Sequence, residues 1–390
     1  MHRIIVIGRG LIGSAAARHL AESTDGIACI GPDEPADRAT HTGVFASHYD
    51  EGRMTRIVDP SPEWSITAKR SIARYRDIEA RSGIGFFTPA GYLGLGSPGN
   101  DYNQRSADTG EACGAVTERL TAPEIRARFP FLSIPDDTDG LVETETAGHI
   151  SPRSMVKAQT HLAEAAGCTM HRHYATAVRP VTDGVEVEAS DGTVLTGKKV
   201  VIAAGAFTPL WRITPVDLGL VVFGRTTVLA RIDDAAAEEL AGMPTMIHCV
   251  SGAYILPPIR YPDGHSYLKI GIGTAEDERF ETLSSLQAWF KSDGSEDNRE
   301  EFTGFLQDLF PVLQRCQHWH TDTCAVMYTP TMLPTSDFVH EDKIAVAVGG
   351  CGKGAKGADE WGRLTAKLMK DGPWPDGVTK EQVAFRTPRH

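Results

Sequence analysis

A chain of 390 residues with a formal charge of −12 exceeds the usual size of one hydrophobic core and lacks the excess of Lys and Arg that a nucleic-acid surface needs. Its 41% apolar and 23% charged residues are those of an ordinary globular protein, and its seven scattered cysteines, with no CxxC, argue against a disulfide framework or a zinc site. No apolar run approaches bilayer length, and the first strand is expected by Arg3, which leaves no room for a signal peptide; a cytoplasmic protein with no membrane and no nucleic-acid partner is expected.

The first element is "RIIVIG" (3–8), a short apolar run suited to a central parallel strand buried on both faces. Gly8, Gly10 and Gly13 form GxGxxG, with Leu11 and Ile12 inside it, and "SAAARHLAES" continues as a helix with small residues on one face. A second apolar run, "GIACIG", ends at Gly31. That strand–turn–helix–strand context is what a dinucleotide fingerprint requires. The glycines let the backbone approach a pyrophosphate, and the helix N-terminus offers N–H donors and a partial positive charge. An acid should follow the second strand to bind the ribose hydroxyls; Gly31 and Pro32 hold its usual place, and Asp33 is the candidate just beyond.

After Arg53 the pattern departs from uninterrupted βαβ units. A helix-like stretch (64–81) leads into mixed, turn-rich sequence. From Gly184, "GVEVEASDGTVLTGKKVVIAAGAF" reads as an alternating strand, an SDG turn, and a buried strand ending in a small-residue turn. Segments 89–147 and 215–320 hold strand-like runs such as "VVFGRTTVLARI" and "SYLKIGIGT", with helix-like "SSLQAWFKS" and "REEFTGFLQDLF" among them; they predict a mostly antiparallel sheet flanked by helices. Near the C-terminus "KIAVAVGG" enters a second glycine turn, "GGCGKGAKG", followed by another helix.

Together "IIVIGRGLIGSAAARHLA", "SHYDEGRMTRI", "VVIAAGAF", "YLKIGIG", "MYT" and "GGCGKGAKG", in this order and spacing, resemble the D-amino-acid-oxidase-like flavoenzymes, and within them the sarcosine-oxidase group. The resemblance spans most of the chain. It implies an α/β fold: a discontinuous Rossmann-like FAD-binding domain (1–88, 148–214 and 321–390) and a second, α+β substrate domain on a mostly antiparallel sheet (89–147 and 215–320). It further implies FAD contacts from Ser47, His48, Arg53, Met54, Val178, Ala204, Gly205, Gly350, Gly352, Lys353, Gly354 and Lys356, beside the first glycine turn. The second turn would then cover the flavin ring as the first covers the phosphates, so one cofactor accounts for both.

The catalytic candidates follow from the same resemblance. Arg56 and Lys356 match the pair that holds the substrate carboxylate, a task for which a guanidinium fork is well shaped. Lys269 matches a lysine set against the flavin that promotes reaction with molecular oxygen; Tyr254 and Tyr328 are candidate pocket walls, of which "MYT" supports Tyr328. A solvated Arg56 or Lys269 and two core tyrosines are the competing readings. The chain departs from the pattern in four respects. Val326 stands where a cysteine would bond to the flavin, with Cys324 two residues earlier, so non-covalent FAD is expected. The ribose acid is displaced to Asp33. Gly273 and Tyr49 replace histidines, which makes sarcosine a doubtful substrate. Lys353 replaces another histidine and, with Arg56 and Lys356, would make three cations suited to a substrate with a second anionic group, unless it points to solvent.

The expected activity is FAD-dependent oxidation of the C–N bond of a carboxylate-bearing amine (an N-alkyl or cyclic amino acid, or an amino acid), giving an imine and hydrogen peroxide, in a monomer or homodimer. The alternatives are a flavin dehydrogenase of a 2-hydroxy acid or amino acid with another electron acceptor, a nicotinamide-dependent dehydrogenase resting on GxGxxG alone, and a non-catalytic FAD-stabilised subunit.

Overall fold

The structure, a computed structural model, describes residues 1–386. Five parallel strands lie side by side in the spatial order Thr169–His171, Ile27–Ile30, His2–Ile7, Val194–Ile202 and Ile344–Val348. Taken in chain order this is 3-2-1-4-5, the nucleotide-binding arrangement, whose switch point lies beyond the C-terminal ends of the first and fourth strands. Alternation explains why these runs are apolar throughout. Ile5, Ile7, Val200, Ile202, Ile344 and Val346 pack into one core, and Ile4, Val6, Val201, Ala345 and Ala347 into the core on the opposite face. Each large aliphatic side chain buried this way contributes roughly 1.5–3 kcal/mol. The hairpin Ala175–Val181 with Gly184–Ala189 and the strand Thr335–His340 extend the sheet antiparallel.

Four helices cover one face: Leu11–Ala21, Pro62–Ser82, Pro152–Ala165 and Gly354–Met369. Small residues set how closely the first and last approach, since a Cβ on Gly362 would lie 2.5 Å from the Ala15 Cβ. One carboxylate ties all four together. Fully buried Asp359 accepts from Arg18 Nη2 at 2.7 Å, Arg74 Nε at 2.5 Å and Gln159 Nε2 at 2.9 Å. Burial alone would push its carboxyl pKa up, but His19, Arg74 and Arg18 hold it well below the ordinary carboxylate range. Asp359→Ala removes the carboxylate shared by Arg18 and Arg74, leaving Arg18 with Glu22 alone as counter-ion, and is expected to destabilise the fold by about 3 kcal/mol, read as a lower urea midpoint.

The second sheet has nine strands. Val221–Ile232, Ser266–Gly271, Ala253–Arg260, Thr245–His248, Tyr92–Gly96, Asp139–Glu143 and Thr117–Thr121 run in that spatial order; Trp319–Tyr328 pairs with the other edge of Val221–Ile232, and Arg279–Phe280 pairs with Val222 and Phe223. Only the Thr245–His248 and Tyr92–Gly96 pair is parallel. Residues 321–328, grouped by sequence with the nucleotide-binding segments, thus lie in the larger sheet, because their alternating burial matches Val221–Ile232 along ten paired residues. A small sheet of Arg53–Thr55, Gly148–Ile150 and Phe87–Thr88 lies between. Among the described residues no helix is long and apolar enough to cross a membrane.

Candidate active site

The C-terminal ends of the parallel strands open into a cavity of about 280 Å³. Three loops form its walls: the first glycine turn (Gly8, Gly10, Leu11, Ile12), the Ala203–Phe207 turn with Ala204 and Gly205, and the second glycine turn (Gly350, Gly352, Gly354). The first turn is held closed by contacts that exclude any side chain. Gly8 sits at φ +102, and a Cβ on Gly13 would lie 1.9 Å from the Gly8 carbonyl oxygen. The fit to a dinucleotide is direct. Both helices starting at the cavity, Leu11–Ala21 and Gly354–Met369, lack a side-chain cap, so their first N–H groups are left for an anionic ligand. Phe45, Tyr174, Trp211, Ile213 and Phe290 supply an apolar end suited to an adenine ring.

Ser47, His48 and Arg53 also reach the cavity. Arg53 donates to the carbonyls of Ser47 and Gly52, both at 2.8 Å, and pairs with Asp50. Burial, with Arg9, Arg153 and Arg53 nearby, holds the His48 imidazole down to about 3, so the ring stays neutral at physiological pH. Other expected cofactor contacts lie off this cavity. Asp33 is exposed and pairs with Arg9 and Arg172, the latter at 2.8 Å, because the chain beyond Pro32 turns outward; Arg9 lines the cavity in its stead. Val178 packs against the core of the sheet, and Tyr174 and Ala175 line the cavity instead. Met54 lies beside Arg56, whose Nη1 approaches its sulfur at 3.5 Å. Lys353 and Lys356 point away from the cofactor cavity.

Those two lysines converge with Arg56 on a residue the sequence reading missed. Asp59, fully buried, accepts from Lys356 Nζ at 2.6 Å and Lys353 Nζ at 2.9 Å, with Arg56 Nη2 at 3.9 Å. Burial would raise the Asp59 pKa, but Lys356, Lys353 and Arg56 override it and hold the carboxylate ionised. Arg56 is only loosely engaged there. Its Nη2 donates to the Tyr102 hydroxyl at 2.6 Å, its guanidinium stacks over Tyr92 at 4.8 Å, and its buried Nε has no partner among the described residues.

One face of the large sheet forms the opposite wall. Leu229 faces Lys269, Thr227 faces Gly271, and Tyr254 faces Gly271 from the other side. Lys269 is buried, pairs with Asp50 and lies 5.9 Å from the centre of the Tyr254 ring. Burial and Arg53 push its ammonium down to about 8. Tyr261 donates to the other Asp50 oxygen at 2.8 Å. A small second cavity lined by Lys269, Asp50, Arg53, Thr227 and Asp322 adjoins the first, and Ser47 and Cys324 line both. Asp50 and Asp59 carried a weak signal, as acids three residues from an arginine on an expected binding loop.

Comparison with known proteins agrees with this arrangement. The family model described as FAD dependent oxidoreductase matches residues 3–368. N-methyl-L-tryptophan oxidase of Yersinia pestis (strain Pestoides F) is 24% identical over 394 residues, covering 98% of each chain. Among solved structures, NikD, an unusual amino acid oxidase essential for nikkomycin biosynthesis, superposes with a TM-score of 0.78 at 19% identity, covering 100% of this chain and 98% of that one. Glycine oxidase from Geobacillus kaustophilus does so at 0.77 and 18%, covering both chains fully. With two glycine turns around one dinucleotide-shaped cavity and a family match over nearly its whole length, the chain belongs to the FAD dependent oxidoreductases.

Proposed function

We propose that this enzyme oxidises the C–N bond of a carboxylate-bearing amine, an N-alkyl or cyclic amino acid or an amino acid, with oxygen as the electron acceptor. The observation that carries the reading is the convergence of Arg56 and Lys356, from opposite ends of the chain, on one carboxylate-binding point beside the second glycine turn. Asp59 is held at that point as a carboxylate would be. Arg56, with its buried Nε unpartnered, has donors left for a second one from the substrate. The relatives, N-methyl-L-tryptophan oxidase, glycine oxidase and the unusual amino acid oxidase NikD, point the same way.

FAD, when bound, supplies the two-electron chemistry, the C–N unit being oxidised to an imine that water hydrolyses and oxygen being reduced to hydrogen peroxide. The chain contributes position and charge. Arg56 and Lys356 fix the substrate's acid end, Tyr254 and Tyr328 flank its path, and Lys269 supplies a buried positive charge on the sheet face opposite. FAD is held without a covalent bond, Val326 occupying the wall beside Cys324.

A peroxide-release screen over N-methyl amino acids, cyclic imino acids and D- and L-amino acids tests the reading. On the best substrate, Arg56→Met is expected to raise KM about 10–100-fold, the worth of a charged hydrogen bond, with the protein still yellow. Amines lacking the carboxylate should be unaffected. If none of these compounds bleaches the flavin under anaerobic conditions, the reading fails. The Asp50 carboxylate on Lys269 favours one second reading, a dehydrogenase passing electrons to another acceptor; dye reduction without peroxide would select it.

A further inference from the structure

Strand register sets a further cation on the sheet face that borders the two cavities. Arg225 faces Cys324 and Phe223 faces Val326 across one strand pair, while Thr227 faces Gly271 and Leu229 faces Lys269 across the other. Side chains alternate along a strand, so Arg225 projects from the same sheet face as Cys324, Val326 and Lys269, which line the two adjoining cavities. Its guanidinium lies against Gly273. A Cβ there would come within 3.0 Å of Nη2, 3.3 Å of Cζ and 3.4 Å of Nε, so the glycine is what makes room for it.

The hydrogen bonds of Arg225 leave one edge open. Nη1 donates to the Gly224 carbonyl at 3.0 Å and pairs with Asp277; Nη2 donates to the Tyr328 hydroxyl at 3.1 Å. That hydroxyl stands 3.5 Å from where a Cβ on Gly352 would lie, in the glycine turn that borders the cavity. A guanidinium has five N–H donors, and these contacts engage three. Nε–H and one N–H of Nη2 have no hydrogen-bond partner among the described residues. Arg grips a carboxylate with two parallel bonds from such an edge.

We propose that Arg225 is a specificity-determining residue that holds a second carboxylate, at the end of the substrate remote from Arg56 and Lys356, so that the preferred substrate is a dicarboxylic amine. This rests on the oxidase reading above, and the test separates the two. Glutarate and butyrate, non-oxidisable probes of similar size, are titrated into the FAD-loaded enzyme and followed by the flavin difference spectrum. In parallel, N-methylaspartate and N-methylalanine are compared as substrates. The native enzyme should bind glutarate about 10–100-fold more tightly than butyrate. Arg225→Met should abolish that difference, leave butyrate binding unchanged, and raise KM for N-methylaspartate by the same factor with kcat within about threefold. Arg225→Lys should restore part of it. Gly273→Ala, which displaces the guanidinium without removing it, should lose glutarate discrimination in the same direction, and covers the case in which Arg225→Met fails to fold. Discrimination that survives in both variants, or equal losses on both probes, would overturn the assignment. If glutarate discrimination depends on Arg225 but no amine reduces the flavin, the oxidase reading fails and the anion site stands.

Discussion

Gly10→Asp should yield protein that folds normally but purifies without yellow colour. Gly10 is the N-cap of the helix Leu11–Ala21, at φ −80 and ψ −167, an extended conformation open to any residue. The nearest atom to an added Cβ is His48 Nδ1 at 3.9 Å, so the fold itself has room for the side chain. An aspartate there would cap the helix by accepting from its free N–H groups, which relative to glycine stabilises by only about a few tenths of a kcal/mol. Those same groups are the donors left for a pyrophosphate, and the new carboxylate would place like charge where the phosphates bind. Losing two donors and adding that repulsion is expected to weaken FAD binding at least about a hundredfold. Circular dichroism and the melting temperature without added cofactor should match the native chain, while absorbance near 450 nm disappears. Acid precipitation of the native enzyme should release its chromophore into the supernatant, as non-covalent binding requires. Retention of the yellow colour by Gly10→Asp would place the pyrophosphate away from the first glycine turn. Gly13 is a poorer probe, because its contact with Gly8 belongs to the fold as well as to the site.

The contrast between these two glycines shows what the sequence made legible. Spacing and periodicity are local, and they marked both glycine turns, the apolar strands flanking them and the antiparallel character of the second sheet. Arg56 and Lys356 were legible as a pair only through family resemblance, since nothing local links positions at opposite ends of the chain. Their shared partner carried only a weak signal. Asp59 sits in "VDPSPEW", where an acid before two prolines reads as a solvated turn, and only the packing of the helix Gly354–Met369 buries it beneath two lysines. Asp50 hid in the same way, in a charged loop that closes under Lys269. Gly273 was legible as a missing side chain, but the residue that fills the gap comes from a neighbouring strand, and only the pairing of Thr227 with Gly271 brings Arg225 there. Asp33 and Val178 lie off the cavity for a simpler reason. A one-residue shift in a loop, or three along a strand, moves a side chain off the ligand face without changing the pattern.

Lys269→Met is expected to slow the reaction of the reduced enzyme with oxygen about 10²–10³-fold while leaving anaerobic reduction by substrate within a few-fold. The magnitude is that of removing one preorganised electrostatic contact to charge that develops only in the transition state, here on oxygen as it accepts its first electron. Methionine keeps the length and bulk of the lysine stem, and Asp50 retains Arg53 and Tyr261, so the wall should stay intact. The sign of the pH dependence follows from the same residue. Burial and Arg53 bring the Lys269 ammonium down to about 8; its charge is present below that pH and lost above it. The native rate with oxygen should therefore fall as pH rises through about 8, and the Lys269→Met rate should stay flat across that range. Stopped-flow mixing of the reduced enzyme with oxygenated buffer, at several pH values, measures both. Equal rates in the two proteins would mean that Lys269 serves only as counter-ion to Asp50. The buried pair would then be part of the wall alone.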